Sequence, residues 1–239
     1  MISIVQNFIC TKPERLEVLE AQLPAIGEVF GDCEFFVNYN SESNFDKVYQ
    51  LYKKYIPKLN FYNDLTPAWA PTTLALANQI ETPYLIYLYE DTQVHVNKTK
   101  IWECIDEFVS EGCDYLLLTK LEKYLRPEYK NGGVMWNGAT APPYNKLKHG
   151  YWYFGKYAPH KRVSTDAVYR TKWYTERLEE FILKGESCTH SIPIRDKRKP
   201  NFYEGYYDFA NGTYRFSDMK FYIPNEVIIS EFDTIKQNS

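Results

Sequence analysis

Between the first apolar run and the first helical pattern there is no glycine: residues 9–15 read Ile-Cys-Thr-Lys-Pro-Glu-Arg. A phosphate cradle built from backbone N–H groups needs glycine at that place, so a P-loop or a dinucleotide fingerprint is disfavoured. A nucleotidyltransferase with a Gly-rich first loop is weakened on the same ground. Paired cysteines are also missing. Cys10, Cys33, Cys104, Cys113 and Cys188 are scattered, odd in number and without a C-x-x-C spacing. That argues against a disulfide framework or a zinc site and for a reduced, intracellular chain. His95, His149, His160 and His190 show no metal-ligand spacing. No apolar run approaches the roughly 20 residues that cross a bilayer. Met1-Ile2-Ser3-Ile4 enters a strand pattern without the basic start of a secretory leader. The expected location is therefore cytoplasmic, with membrane association no closer than a peripheral contact. A net charge of −3 gives no electrostatic pull toward nucleic acid.

What the chain does have is a stretch that organises the rest. Pro83 to Val94 reads Pro-Tyr-Leu-Ile-Tyr-Leu-Tyr-Glu-Asp-Thr-Gln-Val. A continuous apolar and aromatic run of strand length reads as a strand buried on both faces. It ends in two adjacent carboxylates, Glu90 and Asp91. Ligands of open α/β sheets bind just beyond the carboxyl ends of the strands. Two acids there can hold a divalent cation, and a cation can hold a diphosphate.

The flanking order is strand and helix in alternation. Ile2–Ile9 is a first strand, and Thr11-Lys12-Pro13-Glu14 opens a helix with Leu16, Leu19, Leu23 and Ile26 on one face. Pro24 is a candidate kink. Glu34–Val37 is a second strand with the polar tip Asn38-Tyr39-Asn40-Ser41. A helix carries Phe45, Val48, Tyr49, Tyr52 and Ile56, and Leu59–Tyr62 is a third strand closed by Asn63-Asp64. Pro71–Ile80 is a helix before the acid-tipped strand. A helix with Ile101, Ile105, Phe108 and Val109 leads to a strand at Tyr115–Leu118. Such alternation predicts a mainly parallel sheet covered on both faces. After about Lys120 glycine, proline and aromatics crowd into long loops, with a helix at Thr171–Leu183 and a strand at Phe221–Ile223. No linker separates the halves, which predicts one domain over residues 1–239.

Residues 2–120 resemble a GT-A glycosyltransferase of the family 2 type. The likeness rests on the first strand running into Cys10-Thr11-Lys12, on the polar tip Asn38–Ser41, on the helix-strand unit Thr72–Ile86 with Asn78, and on the strand that delivers the acids. The family's Asp-x-Asp is replaced here by Glu90-Asp91-Thr92, and the basic residue before the Asn by Ala77. Beyond residue 120 the likeness continues only in Val168-Tyr169-Arg170 before a helix and in Glu204-Gly205-Tyr206-Tyr207-Asp208.

The resemblance implies a GT-A-type, Rossmann-like α/β fold. Residues 1–120 form its nucleotide-sugar half and residues 121–239 a loop-rich acceptor half. It implies a metal-dependent, inverting, hexosyl-type transferase that uses a nucleotide-diphosphate sugar, with Mn²⁺ or Mg²⁺ held by Asp91 and Glu90. Thr11, Asn38, Asn40, Asn63 and Asn78 are the candidates around the nucleotide, with Asp64 beside Asn63. For the base that takes the acceptor proton, Asp208 comes first, then Glu204, with Asp166 a third option. The acceptor is a glycan, a lipid-linked sugar or a protein. Trp136, Tyr151, Trp152 and Tyr153 are a candidate sugar platform, and the basic run Arg195–Lys199 could touch an anionic lipid-linked acceptor at a membrane surface. The alternative is a catalytically silent GT-A-like module that binds glycans or a partner.

Overall fold

The computed structural model describes residues 2–10, 13–66, 69–118, 144–154, 166–184, 220–225 and 228–231. Its strands are β1 (Ile2–Phe8), β2 (Glu34–Tyr39), β3 (Leu59–Tyr62), β4 (Tyr84–Tyr87), β5 (Thr92–Val94), β6 (Tyr115–Leu117), β7 (Tyr144–Lys146), β8 (Gly150–Phe154), β9 (Ala167–Arg170), β10 (Lys220–Pro224) and β11 (Ile229–Glu231). Its helices are α1 (Pro13–Phe30), α2 (Phe45–Tyr55), α3 (Trp69–Ala77), α4 (Lys98–Ser110) and α5 (Thr171–Lys184). The main sheet has the order β3-β2-β1-β4-β9-β6-β10-β8-β7, and β5 pairs with β11 in a separate antiparallel ribbon.

β1 pairs in parallel with β2 on one side and β4 on the other, and β2 pairs in parallel with β3. β9 returns antiparallel between β4 and β6. The chain therefore builds outward from β1 through β2 and β3, then crosses to the other side of β1 to lay down β4. The carboxyl ends of β1 and β4 flank the point where strand order reverses. A crevice opens at such a point because the connections leave in opposite directions.

Both faces of the sheet are covered. Ile4 and Phe8 pack with Leu19, Leu23, Val48, Tyr52 and Ile105 on one face, the side of α1, α2 and α4. Val5 packs with Trp69, Leu76, Tyr174 and Leu178 on the other, the side of α3 and α5. Strand alternation sends neighbouring residues to opposite faces. It aims Gln6 toward α2 and Asn7 toward α3, so two polar side chains enter the interior from one dipeptide.

α1 continues through Pro24 without a break. α4 starts at Asn97, whose side chain accepts from Lys100 N at 3.0 Å, and ends at Gly112, whose φ of 62° lets Cys113 N reach Phe108 O. Tyr151 and Tyr153 are buried on one side of β8 and belong to the core. For these two residues, though not for the half-buried Trp152 between them, this corrects the expectation of a sugar platform, because alternation along an antiparallel strand turns their rings inward. Trp136 and the basic run 195–199 lie outside the described residues.

Cys10, Cys33, Cys104 and Cys113 are buried thiols. Burial pushes the thiols of Cys10 and Cys33 up to about 11 and that of Cys113 up to about 12. A thiol held protonated and covered does not react. Iodoacetamide at pH 8 should leave these four cysteines unmodified in the native protein and label them all in denaturant, as read by peptide mass spectrometry. Rapid native labelling of Cys10 would mean that the end of β1 opens.

Candidate active site

At the carboxyl end of β4 the chain leaves the sheet at Leu88 and Tyr89, turns at Glu90-Asp91 and enters β5 at Thr92. Several side chains fix this turn. Asp166, fully buried just before β9, accepts from Tyr89 N at 2.7 Å and from the Thr92 hydroxyl at 2.8 Å. Thr92 Oγ1 also lies 3.0 Å from Tyr89 O. From β1, the other strand flanking β4, Gln6 Nε2 donates to Tyr89 O at 3.2 Å, and Tyr52 OH donates to Gln6 Oε1 at 2.9 Å. Hydrogen bonds from both flanking strands leave the turn few conformations, so the half-buried Asp91 is held in place.

The two acids are not equivalent. The Glu90 side chain is turned inward, only 3% exposed, and its Oε1 is 2.6 Å from Arg15 Nη1. Arg15 stands in the first turn of α1, 36% exposed, and also approaches Ile9 O at 3.4 Å. It thus ties the end of β1 to the turn after β4. Asp91 is half-buried. Burial pushes its carboxyl above the usual carboxylate range, while Arg15 and its own backbone pull it back. Among the described residues, Glu90, Asp91 and Asp166 against the Arg15 guanidinium leave a surplus of negative formal charge around the turn. A cation neutralises such a surplus, and Asp91 is the acid that solvent reaches.

A second polar cluster lies beside it. Asn7 Nδ2 reaches Thr72 Oγ1 at 2.6 Å, Thr73 Oγ1 at 2.8 Å and Trp69 O at 3.0 Å, fastening the start of α3 to β1. Asn7 Oδ1 accepts from Asn38 Nδ2 at 3.0 Å, and Asn38 Oδ1 accepts from Asp64 N at 2.7 Å. Asn40 Nδ2 donates to Asp64 O and Thr66 O, and Asn63 Nδ2 to Tyr39 O and Ser41 O. The ends of β1, β2 and β3 are laced together by asparagine.

No family model matches the chain, and no curated protein matches it in sequence. Its fold, however, is similar to that of solved structures. The crystal structure of S. aureus TarS 1-349 matches with a TM-score of 0.55 at 9% identity, over 97% of this chain and 60% of that one. The same protein in complex with UDP-GlcNAc matches with 0.50 at 11% identity, over 96% and 57%. The 4-diphosphocytidyl-2C-methyl-D-erythritol synthase of Anaerococcus prevotii matches with 0.53 at 12% identity, over 99% and 92%. The fold is of the GT-A type. The chain spans about three fifths of the TarS structures it matches.

On this GT-A frame the candidate residues fall into four groups. Glu90, Asp91, Asn38, Asn40 and Asn63 gather at the carboxyl edge of β1–β4, with Glu90 paired to Arg15 and the three asparagines clasping backbone carbonyls. Asn78 departs from the group. α3 begins over Asn7 and runs away from it, so Asn78, exposed beyond the end of that helix, precedes the loop that enters β4 at its far end. A helix between two parallel strands must run back across the sheet, which carries its last residues away from the strand ends that bind ligand. Thr11, Glu204 and Asp208 lie outside the described residues. Asp166, an option for the base, is instead a buried support of the acid turn.

Sequence reasoning missed Arg15 and Asn7. Signals for both existed. A cation in the first turn of a helix opposes the helix dipole, and Gln6-Asn7 interrupts a mostly apolar strand. Among the described residues no group of three or more His, Cys, Asp or Glu could hold a metal by itself. A single outward carboxylate still fits a cation that brings diphosphate oxygens as its other ligands. No described helix is long and apolar enough to cross a membrane.

Proposed function

We propose that this chain is a glycosyltransferase that moves a hexose from a nucleotide-diphosphate sugar to a carbohydrate, lipid-linked or protein acceptor, as a single domain over residues 1–239. The observation that carries the reading is the braced turn at the reversal point of a GT-A sheet, with Asp91 only half-buried and Glu90 turned inward. In an inverting transfer the acceptor oxygen attacks the anomeric carbon. The bond to the diphosphate breaks, and a carboxylate takes the hydroxyl proton. Asp208, with Glu204 in reserve, is proposed for that proton. Asp91 is proposed to hold Mg²⁺ or Mn²⁺ on the diphosphate, and such a cation offsets the charge that builds on the leaving group. Asn38, Asn40 and Asn63 are proposed to shape the nucleotide slot by fixing the β2 and β3 tips, and Thr11, which follows β1 in the sequence, is proposed as a further nucleotide contact.

The test is calorimetry with UDP, GDP, CMP and dTDP, each with and without Mn²⁺. One diphosphate should bind far more tightly with Mn²⁺ than without it. Mn²⁺ alone should give no heat, because Asp91 is one ligand and the diphosphate supplies the others. Tight Mn²⁺ binding without nucleotide would overturn that ligand set. Failure of every nucleotide to bind would leave the silent glycan-binding module.

A second reading is a nucleotidyltransferase. It is favoured by the likeness to the Anaerococcus prevotii synthase, which extends over 92% of that chain. It must do without glycine after β1. Release of pyrophosphate from a nucleoside triphosphate, rather than of nucleoside diphosphate from a nucleotide sugar, would decide for it.

A further inference from the structure

We propose that Arg15 is the anion contact of this site: it grips the diphosphate of the bound nucleotide and uses Glu90 as its anchor. The inference rests on the nucleotide reading above, and it gives Arg15 a role beyond neutralising Glu90. Arg15 reaches the end of β1 through Ile9 O and the turn after β4 through Glu90, so it spans the reversal point where a ligand would lie. Its Nη1 faces inward at 2.6 Å from Glu90, yet 36% of the side chain remains in contact with solvent. A guanidinium carries five N–H donors in a rigid fork, so one edge can hold a carboxylate while another meets phosphate oxygens.

Position supplies a second argument. Arg15 stands in the first turn of α1, where the helix dipole opposes a cation. A counter-ion for Glu90 alone would be better placed elsewhere. A site for an anion at a helix start makes sense of the cost, because the dipole and the guanidinium then act on the same ligand. Glu90 fixes the fork in orientation, which limits the side-chain freedom lost when the ligand arrives.

Arg15 and Glu90 should respond in opposite directions. The probe is inorganic pyrophosphate with saturating Mg²⁺, measured by calorimetry, since it carries no base or sugar preference. Arg15→Gln should weaken pyrophosphate binding about 10- to 100-fold, in keeping with the loss of charge-assisted hydrogen bonds. Glu90→Gln should tighten it about two- to tenfold, because Arg15 is released and a negative charge is gone. Arg15→Gln also removes the cation 2.6 Å from a buried carboxylate and lowers the melting temperature. The double variant Arg15→Gln/Glu90→Gln should recover the melting temperature and not the pyrophosphate affinity.

If the double variant binds pyrophosphate as the parent does, Arg15 is only a counter-ion and the inference falls. Weaker binding in Glu90→Gln would also overturn it, by placing Glu90 in the cation's ligand set. Absence of pyrophosphate binding in the parent protein would do the same. These outcomes are separate from failure of the glycosyltransferase reading, which shows as no binding in the nucleotide panel whatever pyrophosphate does.

Discussion

Asp91→Asn is expected to lower turnover by about 10²- to 10³-fold, the effect of removing one fixed group that stabilises leaving-group charge, and to leave the protein as stable as its parent or more so. The first effect follows from position. Asp91 is the acid of the turn that solvent reaches, and Glu90 is committed to Arg15. The amide keeps the shape and loses the charge that a cation needs.

The second effect follows from the direction of the Asp91 shift. Burial raises its carboxyl above the ordinary value of 3.8, so the native state holds the proton more tightly than the unfolded chain does. The native state is then favoured most at low pH, and that advantage is lost as pH rises through the raised native value. At neutral pH ionised Asp91 therefore works against folding. Asparagine removes that cost. Melting temperatures measured in EDTA should put the variant level with or above the parent at pH 7, with the gap closing as pH falls toward 3.8. Turnover is read as nucleoside diphosphate released from the sugar nucleotide whose diphosphate binds. Full activity in Asp91→Asn would remove the acid turn from the chemistry. A loss of activity accompanied by a lower melting temperature would show that Asp91 is structural. A stability gain paired with an activity loss is the mark of a group placed for function.

Much of the fold of the first 118 residues was readable because its elements are local patterns. The run Tyr84–Tyr87 is apolar at every position and becomes a central strand, β4, buried on both faces. The expectation of a helix at Thr171–Leu183 after a return strand matches α5 and β9. What was not readable depends on partners distant in sequence. Arg15 and Glu90 are 75 positions apart, and nothing within either segment announces the other. β5 was merged with the strand before it because three residues carry too little pattern to stand alone. Its partner β11 is as short. At β8 the signal was present and passed over. Tyr151 and Tyr153 alternate with Trp152 as a strand requires, but glycine and histidine just before them suggested a loop. Asn78 was placed by likeness to a motif, whereas the direction of α3 decides where it lies.

Asp166→Ala is expected to cost about 3–6 kcal/mol of stability, from two hydrogen bonds to a carboxylate at about 1.5–3 kcal/mol each. Its Oδ1 holds the Tyr89 N–H at 2.7 Å and the Thr92 hydroxyl at 2.8 Å in a fully buried setting. Removing it leaves both donors without that acceptor where water does not reach. For a chain of this length such a loss lowers the melting temperature by roughly 10 °C or more. The turn would also loosen on the side of β9 while Gln6 still holds Tyr89 O from the other, so Asp91 would swing. A misplacement of about 1 Å costs about 10²-fold in rate, and the fall should appear in kcat more than in nucleotide affinity. Asp166→Asn retains an acceptor oxygen and should recover most of the stability. Thr92→Val removes only the hydroxyl and should cost less than Asp166→Ala. Because the two residues share a bond, their combined loss should fall short of the sum by about 1 kcal/mol or more in a double-mutant cycle. Additive losses would mean that Asp166 acts on the fold elsewhere and does not brace the turn. An Asp166→Ala protein as stable as its parent would remove the support on which the placing of Asp91 depends.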